Sequence, residues 1–110
     1  MASSLGARRK IITLCGSTRF KQAYIDWNAR LTLQGHIVLS VGLFAHADGV
    51  PLTPEQKADL DALHKAKIAI SDEIMVLDVG GYIGESTRSE IAFAEAHGIP
   101  VRYLSQEPAS

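Results

Sequence analysis

The amino-acid sequence predicts an α/β domain, a small doubly wound (flavodoxin- or Rossmann-like) parallel sheet of four to five strands with helices on both faces. Short apolar segments rich in β-branched residues alternate with longer helical segments, as in parallel sheets that are covered on both faces. The length of 110 residues suits one ordinary domain. Residues 10–105 are expected to form it, between a flexible N-terminal arm (residues 1–9) and a tail (residues 106–110).

The first half of the chain is predicted to form a strand, a helix, a second strand and a loop. Residues 10–15 are apolar and β-branched, which is typical of a buried strand. Residues 20–34 follow a helical period, and Gly35 can end that helix. One stripe of the helix is expected to face the core, namely Ala23, Tyr24, Trp27 and Leu31. Residues 37–41 are predicted to be a second buried strand, and residues 42–51 a loop.

The second half repeats the alternation. Residues 53–56 form a capping box with proline at the first helical position, and this helix is predicted to end near Ala69. Its inner face is expected to include Leu60, Leu63, Ala66 and Lys67. Residues 73–79 are predicted to be the third and most hydrophobic strand, residues 86–97 a helix, and residues 101–104 the fourth strand.

Composition and charge exclude several classes of function. Eleven Lys and Arg against twelve Asp and Glu give a formal net charge of −1, which argues against binding of a nucleic-acid polymer. No apolar run is long enough to cross a membrane, and a single cysteine fits a reducing, cytoplasmic compartment. His36, His46 and His97 are too scattered to predict a metal site, and no cofactor is expected.

The first candidate motif follows the first strand. In a parallel sheet with right-handed crossovers, the segments after the strands meet at one edge, where such sheets bind ligands. Gly16 lets backbone N–H groups approach an anion there, while Ser17 and Thr18 add donors at a helix N-terminus. Arg19 can bind a phosphate or carboxylate through two parallel hydrogen bonds. The alternative is an ordinary turn with a capping serine, and Cys15 before it is expected to be a small buried residue.

The second candidate motif is the glycine-rich turn after the third strand. Gly84 lies in this turn, and Ser86 can cap the next helix and donate to an anion. Asp78 and Tyr82 in the same segment are further candidates for substrate contact. A carboxylate near the helix start, beside an anion site, is placed to attack an electrophilic sugar carbon, and Glu90 fits that role. The alternative is that acidic residues here only complement the helix dipole.

The third candidate is an acidic and imidazole pair on the second helix. Asp61 and His64 are three residues apart and therefore share a face of the helix. Either side chain is suited to act as a general acid or base. The alternative is a solvent-exposed pair that only interacts along the helix surface.

These segments together resemble the nucleoside 2-deoxyribosyltransferase family and its nucleoside 5′-monophosphate N-glycosidase relatives. The resemblance extends from about Ile11 to Leu104. It depends on residues 15–19 (CGSTR), on residues 60–68 leading into residues 72–77, and most specifically on residues 83–101. The last block combines a glycine-rich turn, a helix glutamate and a Gly-x-Pro-Val approach to a strand.

The resemblance implies catalytic roles for particular residues. Glu90 matches the nucleophilic glutamate of the family. Asp61 or His64 is the nearest counterpart of the family's acidic helper, and the choice between them stays open. Thr13 stands where members often have a tyrosine that positions the nucleophile, and Tyr82 is a candidate substitute.

The resemblance also implies a substrate and a reaction. Gly16, Ser17 and Arg19 match the loop that binds a 5′-phosphate, and Gly84 and Ser86 match the loop that contacts sugar or phosphate. The expected function is cleavage of the N-glycosidic bond of a (deoxy)nucleoside 5′-monophosphate or nucleoside through a glycosyl–glutamate, with hydrolysis favoured over base exchange. The alternative is a non-catalytic nucleotide-binding or sensing module. A homodimer with a shared pocket is expected, because relatives complete the pocket with a neighbouring subunit.

Overall fold

A computed structural model describes residues 8–107 and confirms the predicted α/β fold. Four strands and three α-helices alternate along this part of the chain, in the order β1 (Ile11–Cys15), α1 (Lys21–Leu33), β2 (Ile37–Leu39), α2 (Pro54–Ala69), β3 (Glu73–Val76), α3 (Glu85–Ala96) and β4 (Val101–Tyr103). Short 3₁₀ turns follow β3 and β4, at Val79–Gly81 and Leu104–Gln106. Residues 1–7 of the predicted arm and residues 108–110 of the predicted tail lie outside the described residues.

The strands form one parallel sheet with the order β2-β1-β3-β4, so β1 and β3 lie at its centre. Helix α1 covers one face, where the buried cluster consists of Ile12, Leu14, Tyr24, Leu31, Met75 and Leu77. Helices α2 and α3 cover the other face and contact each other, with the buried cluster Cys15, Ile68, Ile74, Val76 and Ala94. The fold is therefore doubly wound, and every strand points its carboxyl end to the same edge.

Two predictions about burial are wrong in detail. Residues 37–41 were expected to be a buried strand, but β2 ends at Leu39, and Ile37 is 46% exposed because β2 is an edge strand that pairs only with β1. The inner face of α2 was expected to include Leu63 and Ala66, but both are exposed, Leu63 to 54%. The buried residues of α2 are His64 and Ile68. The His64 imidazole therefore takes the buried position that the apolar pattern assigns to Leu63.

The start of α2 is the predicted capping box, and it fixes where this helix enters the structure. Thr53 Oγ1 accepts a hydrogen bond from the Gln56 N–H at 3.1 Å, and Gln56 Oε1 accepts one from the Thr53 N–H at 3.0 Å. Because α2 begins after the loop that follows β2, its first turns lie at the carboxyl edge of the sheet. Lys57, Asp61 and His64 share one face of α2, so Lys57 lies nearest that edge and His64 lies deepest in the core.

The opposite edge of the sheet carries structural charges, Asp72 and Glu73. Asp72 accepts a hydrogen bond from the Ile11 N–H at 2.7 Å. Glu73 forms ion pairs with Lys10 at 2.8 Å and with Arg102 at 2.9 Å. These carboxylates hold strand ends together and leave the other edge for chemistry. Among residues 8–107, no helix has the length and apolar character needed to cross a bilayer.

Candidate active site

The first loop of the site is held against the centre of the sheet. Gly16 has φ 149°, and a Cβ at this position would lie 3.2 Å from the Leu77 carbonyl oxygen and 3.3 Å from Leu77 Cβ. Both the left-handed region and this close approach favour glycine. The Tyr24 hydroxyl donates to the Gly16 carbonyl at 2.7 Å. The chain that leads to the phosphate-binding candidates is thus fixed between β3 and α1.

The residues after Gly16 bind one another and the neighbouring loop. Ser17 Oγ accepts hydrogen bonds from the Arg19 backbone N–H at 3.3 Å and from Arg19 Nε at 3.1 Å. Thr18 Oγ1 accepts one from the His46 N–H at 3.2 Å, which connects this turn to the loop between β2 and α2. The Arg19 guanidinium lies over the Tyr82 ring, 4.5 Å from its centroid.

Tyr82 brings the first two predicted motifs together. Its ring also makes an edge-to-face contact with Phe20, with 5.9 Å between the ring centroids. A Cβ added to Gly84 would lie 3.3 Å from the Tyr82 hydroxyl oxygen. Gly84 is the N-cap of α3. The Arg19 side chain and the N-terminus of α3 therefore both lie close to one aromatic ring, and both favour a negatively charged group.

Lys57 is a member of the site that the sequence analysis did not single out. Its Nζ donates to Asp61 Oδ2 at 3.1 Å and to Ser86 Oγ at 2.8 Å, so it joins the first turns of α2 and α3. Its side chain is 58% exposed, which leaves it accessible to a ligand. The i,i+4 spacing of Lys57 and Asp61, on a helix that begins at the site edge, is the pattern that could have identified it.

Below this rim, one side chain from each of three elements meets in the core. Cys15 at the end of β1, His64 in α2 and Glu90 in the second turn of α3 place one donor atom each within 4.8 Å of the others. Cys15 Sγ and His64 Nε2 are 3.6 Å apart, and His64 Nε2 donates to the Leu14 carbonyl at 2.9 Å. Cys15 is buried as expected, but its place beside Glu90 was not foreseen.

Burial determines the charge state of this group. It raises the pKa of Glu90 to about 7; a hydrogen bond with Cys15 opposes the shift, and the charge of Asp61 adds to it. Burial lowers the pKa of His64 to about 4, helped by the charge of Lys67. Burial and Glu90 raise the pKa of the Cys15 thiol. At neutral pH the thiol and imidazole are uncharged, whereas Glu90 is close to half ionised.

Asp61 and His64, which the sequence could not rank, occupy different places. His64 is 6% exposed and contacts the end of β1 beside Glu90. The Asp61 side chain is 42% exposed at the rim and pairs with Lys57. Its charge still influences the pKa of Glu90 and of His64. Asp61 is thus the one accessible to a ligand, and His64 is the one packed behind Glu90.

Asp78 is engaged by the chain itself. It is 5% exposed, and its two oxygens accept hydrogen bonds from the Ser105 N–H at 2.9 Å and the Ser105 hydroxyl at 2.6 Å. These bonds hold the turn after β4 against the end of β3. They give Asp78 a structural role, and its contact with substrate stays a prediction.

The arrangement combines a buried carboxylate with two cationic side chains, Arg19 and Lys57, that contact serine hydroxyls in the loops after β1 and β3. Such a carboxylate can act as a nucleophile or as an acid near neutral pH. Cys15, His64 and Glu90 are also three of the side-chain types that bind transition metals. The chain matches no model of a known protein family, and the search of curated proteins finds no match either. A function must therefore be argued from these residues.

Proposed function

We propose that this chain hydrolyses the N-glycosidic bond of ribo- or deoxyribonucleoside 5′-monophosphates through a covalent glycosyl–Glu90 intermediate. The observation that supports this most is the Glu90 carboxylate, which is buried and has its pKa raised to about 7. The family resemblance of the sequence points to the same residue. A nucleophile that is neither fully solvated nor ion-paired is the type needed to attack an electrophilic sugar carbon.

In the first step, an ionised oxygen of Glu90 attacks C1′ as the bond from C1′ to the base nitrogen breaks. The transition state has oxocarbenium character, and the carboxylate stabilises its positive charge. The base leaves with the bonding electron pair and takes up a proton from solvent water. Because the pKa of Glu90 lies at about 7, its ionised, nucleophilic form is present at neutral pH.

In the second step, water attacks C1′ and the ester bond to Glu90 breaks, which returns the carboxylate. Asp61 is the group proposed to take the proton from that water, because it is accessible at the rim and its charge acts on Glu90. His64 is proposed to support Glu90 from behind, since its ring is buried and bonded to the Leu14 carbonyl. A second base in place of water would give base exchange.

The 5′-phosphate is proposed to bind between the Arg19 loop and the N-terminus of α3. Arg19 and Lys57 supply positive charge on the two sides, and Ser17 and Ser86 supply hydroxyl groups that the two cations already contact. Phosphate binding at this distance from C1′ aligns the sugar and lets remote binding energy lower the barrier.

One observation favours the second candidate, a nucleotide-binding or sensing module. Neither Asp61 nor His64 is a ready proton donor for a departing base, since Asp61 pairs with Lys57 and the low pKa of His64 keeps it neutral. A module of this kind would bind a nucleotide at the same loops without breaking it. Release of free base separates the two candidates.

The proposal includes a cytoplasmic homodimer whose partner completes an otherwise open site. The outer face of α1 supports association, because Ile25 is 49% exposed and Leu33 86% exposed. Both line a shallow groove with Asn28, Ala29 and Thr32. Exposed apolar side chains on one helix face are typical of surfaces between subunits.

The reaction is tested by incubating the protein with a panel of ribo- and deoxyribonucleoside 5′-monophosphates. We expect free base and a sugar 5-phosphate as products, measured by chromatography. After rapid quenching, the intact mass of the protein should be higher by one sugar phosphate. Digestion of the quenched protein should locate this adduct on the peptide that contains Glu90. Nucleotide binding without release of base from any member of the panel would contradict hydrolysis and support the sensing module.

The phosphate-binding role of Arg19 predicts a selective effect of Arg19→Met. A hydrogen bond to a charged group contributes about 1.5–3 kcal/mol, so kcat/KM for a 5′-monophosphate should fall about 10- to 150-fold. The rate with the corresponding nucleoside, which lacks the phosphate, should change little. Arg30→Met, at the far end of α1, is the control and should affect neither substrate. Equal losses on both substrates would contradict the assignment.

A further inference from the structure

We propose that Cys15, His64 and Glu90 form a binding site for a thiophilic divalent cation of the zinc class. These three side chains come from β1, α2 and α3, so the sheet and its covering helices hold them in place. The sequence predicts no metal site, because His36, His46 and His97 are scattered and Cys15 has the pattern of a buried core residue. The fold brings together donors that are far apart in the chain.

The donor geometry is near that of a tetrahedral zinc site. With Zn–S of about 2.3 Å and Zn–N of about 2.0 Å, tetrahedral geometry puts sulfur and nitrogen about 3.5 Å apart. Cys15 Sγ and His64 Nε2 are separated by 3.6 Å. The third donor atom, on Glu90, lies within 4.8 Å of both and can approach by rotation of its carboxylate. Three protein ligands would leave a fourth position of a tetrahedral ion to water.

Charge and ligand softness select the kind of ion. A thiolate and a carboxylate balance the two positive charges of the cation, so the buried site becomes neutral when it is filled. A sulfur ligand favours zinc and disfavours magnesium and calcium, which prefer oxygen ligands. All three side chains are buried, with Cys15 fully buried, His64 6% exposed and Glu90 8% exposed, so a bound ion would be shielded from bulk water.

Binding requires proton movements at all three ligands. The Cys15 thiol releases its proton to solvent as the Sγ–metal bond forms, and Glu90 does the same in those molecules in which it is protonated. The His64 proton moves from Nε2 to Nδ1, so that Nε2 can offer its lone pair to the ion. The Leu14 carbonyl then loses the hydrogen bond that it now receives at 2.9 Å. No oxidant or reductant takes part.

Metal binding has a consequence that depends on the proposed function. A Glu90 carboxylate that coordinates a divalent cation has its negative charge neutralised and its position fixed by the ion, so it is a much weaker nucleophile toward C1′. The metal-bound protein would thus be an inactive form, and a chelator would restore it. The metal site itself does not depend on glycosidase activity, so the two proposals can be tested separately.

Cobalt(II) is the probe, because its thiolate complexes have a charge-transfer absorption in the near ultraviolet. The full chain is treated with a chelator, reduced with a phosphine and titrated. We expect this absorption to saturate at one cobalt per chain and to disappear when zinc is added. Absence of a thiolate band, or binding that zinc does not displace, would overturn the proposal.

Variants assign the ligands. Since even outer groups around a metal contribute 10- to 100-fold to affinity, Cys15→Ser and Glu90→Gln should each weaken binding by at least about 100-fold. His97→Asn, at the exposed C-terminal end of α3, is the matched control and should bind as the wild type does. Circular dichroism shows which variants are folded. If one of the two ligand variants does not fold, the other still tests the site. Wild-type affinity in folded Glu90→Gln would overturn the ligand set.

A separate measurement tests the inhibited form. Release of base should fall in proportion to zinc occupancy and return after chelation. If the metal binds and the release of base is unchanged, the proposed inhibition is wrong, while the metal site itself remains supported. If the metal-free protein releases no base from any nucleotide, the proposed function fails while the cobalt result still decides the site.

Discussion

Replacing Glu90 with glutamine is expected to reduce the release of base by about 10³-fold or more without unfolding the protein. Glutamine has the size of glutamate but lacks the negative charge and the oxygen lone pair that attacks C1′. Removal of a nucleophile costs orders of magnitude because the remaining groups only bind and orient the substrate. The measurement is kcat/KM for the best nucleoside 5′-monophosphate, together with the intact mass of quenched samples, in which the sugar-phosphate adduct should be absent.

The matched control is Glu95→Gln, which makes the same chemical change on the exposed side of the same helix. Its rate should stay within about threefold of wild type, as for most surface substitutions. The wild-type kcat/KM should also rise with pH through about 7, as the buried carboxyl ionises. A Glu90→Gln protein that releases base at the wild-type rate would rule out Glu90 as the nucleophile.

A second large effect is expected in the pH dependence of stability, where Glu90 and His64 act in opposite directions. The pKa of Glu90 is raised from 4.5 to about 7 in the folded state, so its contribution is present below pH 4.5 and is lost as pH rises through 7. The pKa of His64 is lowered from 6.5 to about 4, so its contribution is present above pH 6.5 and is lost as pH falls through 4. Over the range where both groups titrate, the two changes largely cancel.

Single substitutions should reveal each half of this balance. Relative to wild type, the free energy of unfolding of Glu90→Gln should increase by about 3 kcal/mol as pH rises from 4 to 7.5. That of His64→Gln should decrease by about the same amount over the same range. Urea denaturation at several pH values gives both differences. Curves that run parallel to wild type for both variants would contradict the burial of these two groups as ionisable side chains.

Much of the fold follows from local sequence patterns. The apolar runs of β1 and β3 and the capping box at Thr53 predict elements that the structure contains within a few residues. Local patterns do not indicate which strand lies at an edge. Residues 37–41 are as apolar as a central strand, yet β2 pairs only with β1, because sheet order is decided by crossovers rather than by hydrophobicity.

Local sequence patterns predict only part of the candidate site. Glu90 and the Arg19 loop were identified because glycine-rich turns and helix starts have recognisable patterns. Cys15 and His64 were not placed beside Glu90, because their contact depends on three separate elements packing on one face of the sheet. Asp78 was expected to contact substrate because of its position in a turn. Its bonds to Ser105 depend on a segment that passes nearby only after β4.

Because the site takes one residue from each of β1, α2 and α3, it exists only when the whole domain is folded. A ligand that binds there has no equivalent site in the unfolded chain, so it must raise the melting temperature of the entire domain. Thermal-shift screening of nucleotides, sugar phosphates and metal ions is therefore an unbiased search for what this chain binds. It detects a ligand whether or not any bond is broken, which makes it informative for the enzyme and the sensing module alike.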